Sequence, residues 1–301
     1  MSRKFFVLLS TMLVSALILG ACSTAAEAAP TAEEVTAPAE ETAPTAEPLS
    51  GTLQIAGSTT VQPLAEVLAE TFMEANPDVV IEIQGGGSSV GVTSAGDGTV
   101  AIGSVSREIK SSELETYPDL AIYTIAYDGI AVIVNPELDI PSLSVEQVRG
   151  IFSGEITNFS EVGGPDAEIV VVSREEGSGT RAAFEELVMV YKDENGETVE
   201  TSIVENALLQ QSNGQISTVV STTPNTIGYL SFGYLSDAVK GIAIDNVDPT
   251  VENVKNGTYS IYRPLSLLTK GEAQGLAKAF IDFILSDAGQ EIVAEDYITV
   301  Q

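Results

Sequence analysis

Thr52-Leu53-Gln54-Ile55-Ala56-Gly57-Ser58-Thr59-Thr60-Val61-Gln62-Pro63-Leu64 is the stretch on which the fold turns. Residues 52–56 read as a short strand, and the small, hydroxyl-bearing residues 57–60 read as a turn. Beyond the turn, Leu64, Val67, Leu68, Thr71 and Phe72 fall at i, i+3, i+4, i+7 and i+8, one stripe of an amphipathic helix. Pro63 suits the first turn of that helix, where a missing N–H costs nothing. Asn76-Pro77-Asp78 ends it. Residues 79–84 form a second strand, Gly85-Gly86-Gly87-Ser88-Ser89 turns into a helix through Ala95, and residues 100–105 form a third strand. Strands that alternate with helices in this order predict a parallel α/β sheet.

The pattern continues outward. Residues 122–134 are a long apolar run interrupted by Asp128-Gly129, too long for one ordinary strand, and they read as a crossing between domains. Ser144-Val145-Glu146-Gln147 is a capping box that starts a helix through Phe152. Residues 169–173 form a strand that runs into Arg174-Glu175-Glu176-Gly177-Ser178-Gly179-Thr180-Arg181, followed by a helix to about Val190. Residues 214–220 are helical, 227–230 and 259–268 are strands, and 274–285 with 288–294 close the chain as helices. No internal repeat is evident.

Composition narrows the function. The 301 residues are 44% hydrophobic and 6% aromatic, as in a soluble α/β protein and unlike a multi-span membrane protein. The net charge of −30 repels nucleic acid and anionic lipid, so neither is an expected partner. There is no histidine, which removes Ser-His-Asp triads, Cys-His dyads and most zinc sites. No metal or other cofactor is expected. The single cysteine, Cys22, excludes an intrachain disulfide.

Arg3 and Lys4 precede an apolar stretch over residues 5–19, then Leu19-Gly20-Ala21-Cys22. This reads as a signal peptide over residues 1–21, and the cysteine after Leu-Gly-Ala resembles the bacterial lipobox. Lipidation at Cys22 would anchor the chain to the outer face of the cell membrane. Residues 22–49 are rich in Ala, Thr, Pro and Glu, without Lys or Arg, and read as a disordered acidic tether.

Three strand-to-helix junctions share one character: Gly57-Ser58-Thr59-Thr60, Gly86-Gly87-Ser88-Ser89 and Gly177-Ser178-Gly179-Thr180. A helix start offers unpaired N–H groups and a positive dipole end. Glycine lets an anion approach the backbone, and Ser or Thr adds a hydroxyl donor. In an open α/β sheet such junctions cluster where the strands end, so together they suit one compact oxyanion. Singly, each reads equally as a routine helix cap. None has the Gly-Lys-Ser or Gly-Lys-Thr of a nucleotide phosphate loop. Arg174 is the one cation in these motifs that stands at a strand end beside a helix start, and it also reads as a surface arginine paired with Glu175 or Glu176.

These residues carry a resemblance. Residues 55–64, Gly85-Gly86-Gly87-Ser88-Ser89-Val90-Gly91, residues 102–108 and residues 174–181 resemble the PstS-type phosphate-binding proteins. So do residues 151–159, Ile227-Gly228-Tyr229, Asn256-Gly257-Thr258-Tyr259 and Arg263-Pro264-Leu265. The resemblance covers about residues 51–301. It implies a type II periplasmic-binding-protein fold: two Rossmann-like α/β domains joined by a two-strand hinge, with residues 50–127 plus 231–301 as the first domain and 128–230 as the second. It implies an extracytoplasmic, monomeric, non-enzymatic protein that captures phosphate in an interdomain cleft and delivers it to the permease of an ABC importer. The implied phosphate contacts are Ser58 and Thr59, with Thr60 as a further candidate, Ser88 or Ser89, and Arg174, Ser178, Gly179 and Thr180. Glu176 would hold the Arg174 guanidinium.

One departure bears on selectivity. Some members of the family place an aspartate where this chain has Ser106, and that carboxylate accepts the ligand's proton. Here Ser106, Asp128 or a backbone carbonyl would have to do so, and Asp128 reads equally as a turn or hinge residue. The alternatives are a binding protein for another oxyanion such as sulfate or molybdate, a structural or signalling lipoprotein, and a serine hydrolase using Ser178. The last lacks a base, since histidine is absent and no Ser-x-x-Lys motif occurs.

Overall fold

The computed structural model describes residues 48–301, so the signal peptide, Cys22 and nearly all of the tether lie outside the described residues. The chain begins with β1 (Gly51–Gly57), α1 (Val61–Ala75), β2 (Val79–Gly85), α2 (Ser88–Asp97), β3 (Ile102–Val105) and the short α3 (Ser111–Thr116). It then runs along β4 (Leu120–Val134) into α4 (Val145–Ser153), β5 (Val170–Arg174), α5 (Gly179–Phe184), β6 (Val190–Lys192), β7 (Thr198–Glu200), β8 (Leu208–Gln210) and α6 (Asn213–Thr222). β9 (Thr226–Ser231), β10 (Lys240–Gly241) and α7 (Val251–Lys255) follow, and the chain returns along β11 (Tyr262–Lys270) to α8 (Gly275–Leu285) and α9 (Asp287–Asp296).

The sequence pattern accounts for these elements. In β2, Val79 and Ile81 are buried while Val80 and Glu82 are exposed, the period of two of a half-covered strand. α1 buries Val61, Leu64, Ala65, Leu68, Ala69 and Phe72 on one face. Each large apolar side chain so buried contributes roughly 1.5–3 kcal/mol. That outweighs the few tenths of a kcal/mol by which Val61, Val67 and Thr71 each disfavour a helix. Ser144 and Gln147 form the expected capping box at α4, with Gln147 N–H donating to Ser144 Oγ at 3.2 Å and Ser144 N–H to Gln147 Oε1 at 2.9 Å.

A single sheet links two cores. Its order is β2-β1-β3-β11-β4-β9-β5-β8, with β10 paired to β4. The outer pairs, β1 with β2 and β3, and β5 with β8 and β9, are parallel. The central pairs of β11 with β3 and β4, and of β4 with β9, are antiparallel, so the all-parallel expectation applies to each flank and not to the middle. The first core gathers Leu53, Ile55, Leu68, Phe72, Ile125 and Leu267 with Phe280 and Ile284, with the Phe72 and Phe280 rings 5.3 Å apart edge to face. The second gathers Ile130 to Val134 with Phe152, Phe184 and Tyr229, the last two stacked at 4.1 Å.

Three expectations need correction. Residues 120–134 form one uninterrupted strand: Asp128 and Gly129 continue it, and Gly129 is needed because a Cβ there would lie 2.3 Å from the Phe232 ring. The run does pass from one core to the other. Ile125 and Ala126 belong to the first core and Ile130 onward to the second. The return crossing comes later than residue 231, because Phe232, Val239, Ile242, Ile244, Val254, Tyr259 and Ile261 all pack in the second core. The chain re-enters the first core only along β11. Finally, the helix after Ser178 stops at Phe184 and widens into a π turn, Glu185–Met189, before β6. The wider turn lets Phe184, Val188 and Met189 all face the core.

Candidate functional site

The three junctions meet. Ser58 Oγ accepts from the N–H groups of Thr60 at 3.1 Å and Val61 at 3.3 Å, securing the start of α1. Its proton then goes to Ser106 Oγ, 2.9 Å away at the end of β3. Ser88, at the start of α2, accepts from Ser106 N–H at 3.0 Å, with the two hydroxyl oxygens 3.4 Å apart. All three serines are buried. The first and second junctions therefore form one cluster of hydroxyls.

The third junction closes on that cluster from the second core. Ser89 N–H donates to the Gly177 carbonyl at 3.2 Å. Thr60 Oγ1 lies 3.1 Å from Thr180 Oγ1. Two glycines permit the approach. Gly87 has φ of 88°, and a Cβ on it would lie 2.7 Å from the Gly177 carbonyl oxygen. A Cβ on Gly179 would lie 2.1 Å from Ser88 Oγ and 2.6 Å from Ser106 Oγ. Ser178 is buried and caps α5 by accepting from Arg181 N–H at 3.2 Å. Since α5 has only six residues, its start offers hydroxyls and N–H groups more than a macrodipole. Thr59 and Ser89 stand half-buried, and the Thr59 carbonyl accepts from Tyr234 OH at 2.8 Å.

Arg174 ends β5 and is 1% exposed. Its Nε and Nη2 donate to Glu175 Oε2 and Oε1, both at 3.0 Å, and to the carbonyls of Gln210 and Gln211 at 3.1 and 3.2 Å. The carboxylate that holds it is therefore Glu175, not the expected Glu176. Arg174 is no surface arginine. Its Nη1 is buried and has no partner among the described residues.

Asp128 is neither a turn residue nor exposed. It sits fully buried within β4, opposite Arg263 of β11 in the strand register. Arg263 Nε and Nη2 donate to Asp128 Oδ2 at 3.2 and 2.9 Å, and Ser231 Oγ donates to Oδ1 at 2.9 Å. Burial pushes the Asp128 carboxyl up, against the pull of the Arg263 charge and of hydrogen bonds from Arg263, Ser231 and the Phe232 N–H. Burial likewise pulls Arg263 down, and its neighbours act in opposite senses: Asp128 raises it, and the like charge of Arg174 lowers it. An arginine so placed still keeps its proton.

Arg263 is the main site residue that the sequence reading did not single out, although it lies within one of the motifs quoted above. Its Nη2 also reaches Thr60 Oγ1 at 3.1 Å, and its Nη1 is buried without a partner among the described residues. Asn213 joins it, with Nδ2 donating to Thr60 Oγ1 at 2.9 Å and Oδ1 accepting from Ser231 N–H at 3.3 Å. A lone arginine in an apolar strand, and a lone aspartate in another, were the available signal. Among the described residues no group of His, Cys, Asp and Glu could hold a metal ion, and no helix is long and apolar enough to cross a membrane.

Strand ends, helix starts and two buried arginines gathered between two hydrophobic cores define the class: a mixed α/β protein with a candidate anion site where the two cores meet. A family model for the PBP superfamily domain matches residues 42–288. The chain is 36% identical to the phosphate-binding protein PstS of Bacillus subtilis, over all of this chain and 95% of that one. It is 31% identical to that of Borreliella burgdorferi, over 81% of this chain and 88% of that one. Among solved structures, it superposes with a TM-score of 0.77 on a Clostridium perfringens protein, assigned as a phosphate ABC transporter substrate-binding protein and crystallised with phosphate. That match is 42% identical and covers 83% of this chain and all of the other. An ABC-type phosphate transport receptor from Vibrio cholerae matches with a TM-score of 0.67 at 34% identity, over 82% and 99% of the two chains. The chain belongs to the PBP superfamily and, within it, to the family of PstS phosphate-binding proteins.

Proposed function

We propose that this protein captures inorganic phosphate in the cleft between its two lobes and delivers it to an ABC-type importer. The observation that carries the reading is Arg174: a buried guanidinium, fixed on two of its nitrogens, with Nη1 unpartnered among the described residues beside the meeting point of three hydroxyl-bearing junctions. A buried donor without a partner is costly in isolation, and a bound oxyanion would satisfy it with a charge-assisted bond. The phosphate-binding names of the relatives and the phosphate held by the Clostridium perfringens structure support the ligand.

In this reading Ser58, Thr59, Thr60, Ser88, Ser89 and Ser106 of one lobe face Arg174, Ser178, Gly179 and Thr180 of the other. Ligand bridges the lobes, which hinge where β4 and β11 cross from one core to the other. The protein binds and releases without catalysis, as a monomer, tethered outside the cell by lipid on Cys22. Calorimetric titration of the purified protein with phosphate tests the function: one site with saturable heat is expected, and absence of binding at millimolar phosphate would refute it. The anchor has its own test. Cys22→Ser should release the protein from the membrane fraction, and full retention there would remove the lipid from the account.

A further inference from the structure

Two residues outside the set read as phosphate contacts tie the first junction to the second core. Tyr234 ends the short turn Phe232–Tyr234 after β9 and packs on the second core. Its hydroxyl reaches across and donates to the Thr59 carbonyl at 2.8 Å. Asn213 opens α6, which seats Ile216 and Val220 in the second core. It is wholly buried, and its Nδ2 donates to Thr60 Oγ1 at 2.9 Å and to Thr59 Oγ1 at 3.5 Å. Thr59 and Thr60 lead into α1, whose Val61, Leu64 and Leu68 belong to the first core. Each of these bonds therefore runs from one core to the other.

The chain is shaped for this approach. A Cβ on Gly233 would lie 2.3 Å from the hydroxyl of Tyr297 in the first core, so a side chain there would push the turn away and carry Tyr234 with it. Gly214, next to Asn213, lies against the Tyr234 ring, where a Cβ would be 3.7 Å from the nearest ring atom. The two donors thus stand side by side.

Neither side chain has a donor left for an anion. The Tyr234 proton is spent on a carbonyl oxygen, an atom whose partial negative charge repels an anion. The Asn213 amide is engaged at both ends. The Ser231 N–H, which can only donate, points at Oδ1 at 3.3 Å, and Thr180 Oγ1 donates to the same oxygen at 3.5 Å. That fixes the amide orientation and turns the NH2 group towards Thr59 and Thr60. Both residues act through the first junction.

We infer that Tyr234 and Asn213 are positioning residues for phosphate retention: they hold the Thr59-Thr60 junction against the second core, so that a bound anion leaves only after these bonds break. The inference rests on the phosphate reading, in which Thr59 and Thr60 face the ligand and the cores part about β4 and β11. Bonds made only when the cores are together slow their parting, so the effect falls on release and not on capture.

Release of radiolabelled phosphate from the full-length protein, chased with excess unlabelled phosphate, tests this. Tyr234→Phe removes one oxygen and keeps the ring. It should release phosphate roughly fivefold faster, the value of one ordinary net hydrogen bond, with association no slower than in wild type. Asn213→Ser should speed release at least as much, and it carries the same expectation should Tyr234→Phe fail to fold in a melting experiment. A purely structural role would lower the melting temperature or the fraction of protein that binds and leave the release rate of the bound fraction unchanged. Release at the wild-type rate in the folded variants would overturn the inference, as would slower association with release unaltered. Wild-type protein that takes up no label at millimolar phosphate would refute the phosphate reading and this inference with it. Wild-type binding with both variants releasing at the wild-type rate would refute the inference alone.

Discussion

Two buried arginines are held in different ways. Arg174 stands at a strand end next to its partner in sequence, and that partner, Glu175, is 31% exposed. Arg263 stands in a crossing strand, and its partner Asp128, 135 residues away, is fully buried. Water can replace Glu175 at modest cost, but nothing can replace Asp128. The difference separates two tasks. Arg174 is built like a ligand contact on a loop that can move with its lobe. Arg263 is built into the strands that join the lobes, where charge must be matched within the protein before any ligand arrives.

The largest effect should follow from breaking the buried pair. Asp128→Ala leaves Arg263 buried without a counter-charge, a change that costs about 3–5 kcal/mol in comparable pairs. Denaturant unfolding should show a loss of that order, and a loss below about 1 kcal/mol would mean that water reaches the pair. Next comes Arg174→Ala. It should weaken phosphate binding tenfold or more, since a charge-assisted hydrogen bond contributes about 1.5–3 kcal/mol. Stability should change far less than in Asp128→Ala. An unchanged dissociation constant would make Arg174 structural. The smallest effect should come from Glu175→Gln, because a partly exposed ion pair contributes about 0–1 kcal/mol. A destabilisation as large as that of Asp128→Ala would erase the distinction drawn between the two arginines.

The same contrast explains what the sequence could reveal. Gly57 to Thr60, Gly86 to Ser89 and Gly177 to Thr180 are local motifs, and their residues alone mark them as helix starts with hydroxyl donors. The structure brings these three together. Ser144 and Gln147 lie three apart and announce their own helix. Arg263 and Asp128 carry no such mark, because only the register of β11 against β4 sets them opposite each other. Glu175 and Glu176 are indistinguishable in sequence; the direction in which β5 ends decides between them. The sequence puts the return crossing at residue 231, some thirty residues before β11, because residues 232–261 contain few long apolar runs and yet bury Phe232, Ile242, Val254 and Tyr259. The sequence reading ends the preceding helix at about Val190 and assigns nothing to the β6–β7 hairpin, although Asn195-Gly196 at its turn is a usable signal.

A crystal structure of the protein with phosphate tests the central claim most directly. The account predicts phosphate oxygens within hydrogen-bond distance of Arg174 Nη1 and of a hydroxyl in the Ser58, Ser88 and Ser106 cluster, with Asp128 still bound to Arg263 and Ser231. Phosphate bound elsewhere, or bound with Arg174 Nη1 out of its reach, would contradict it.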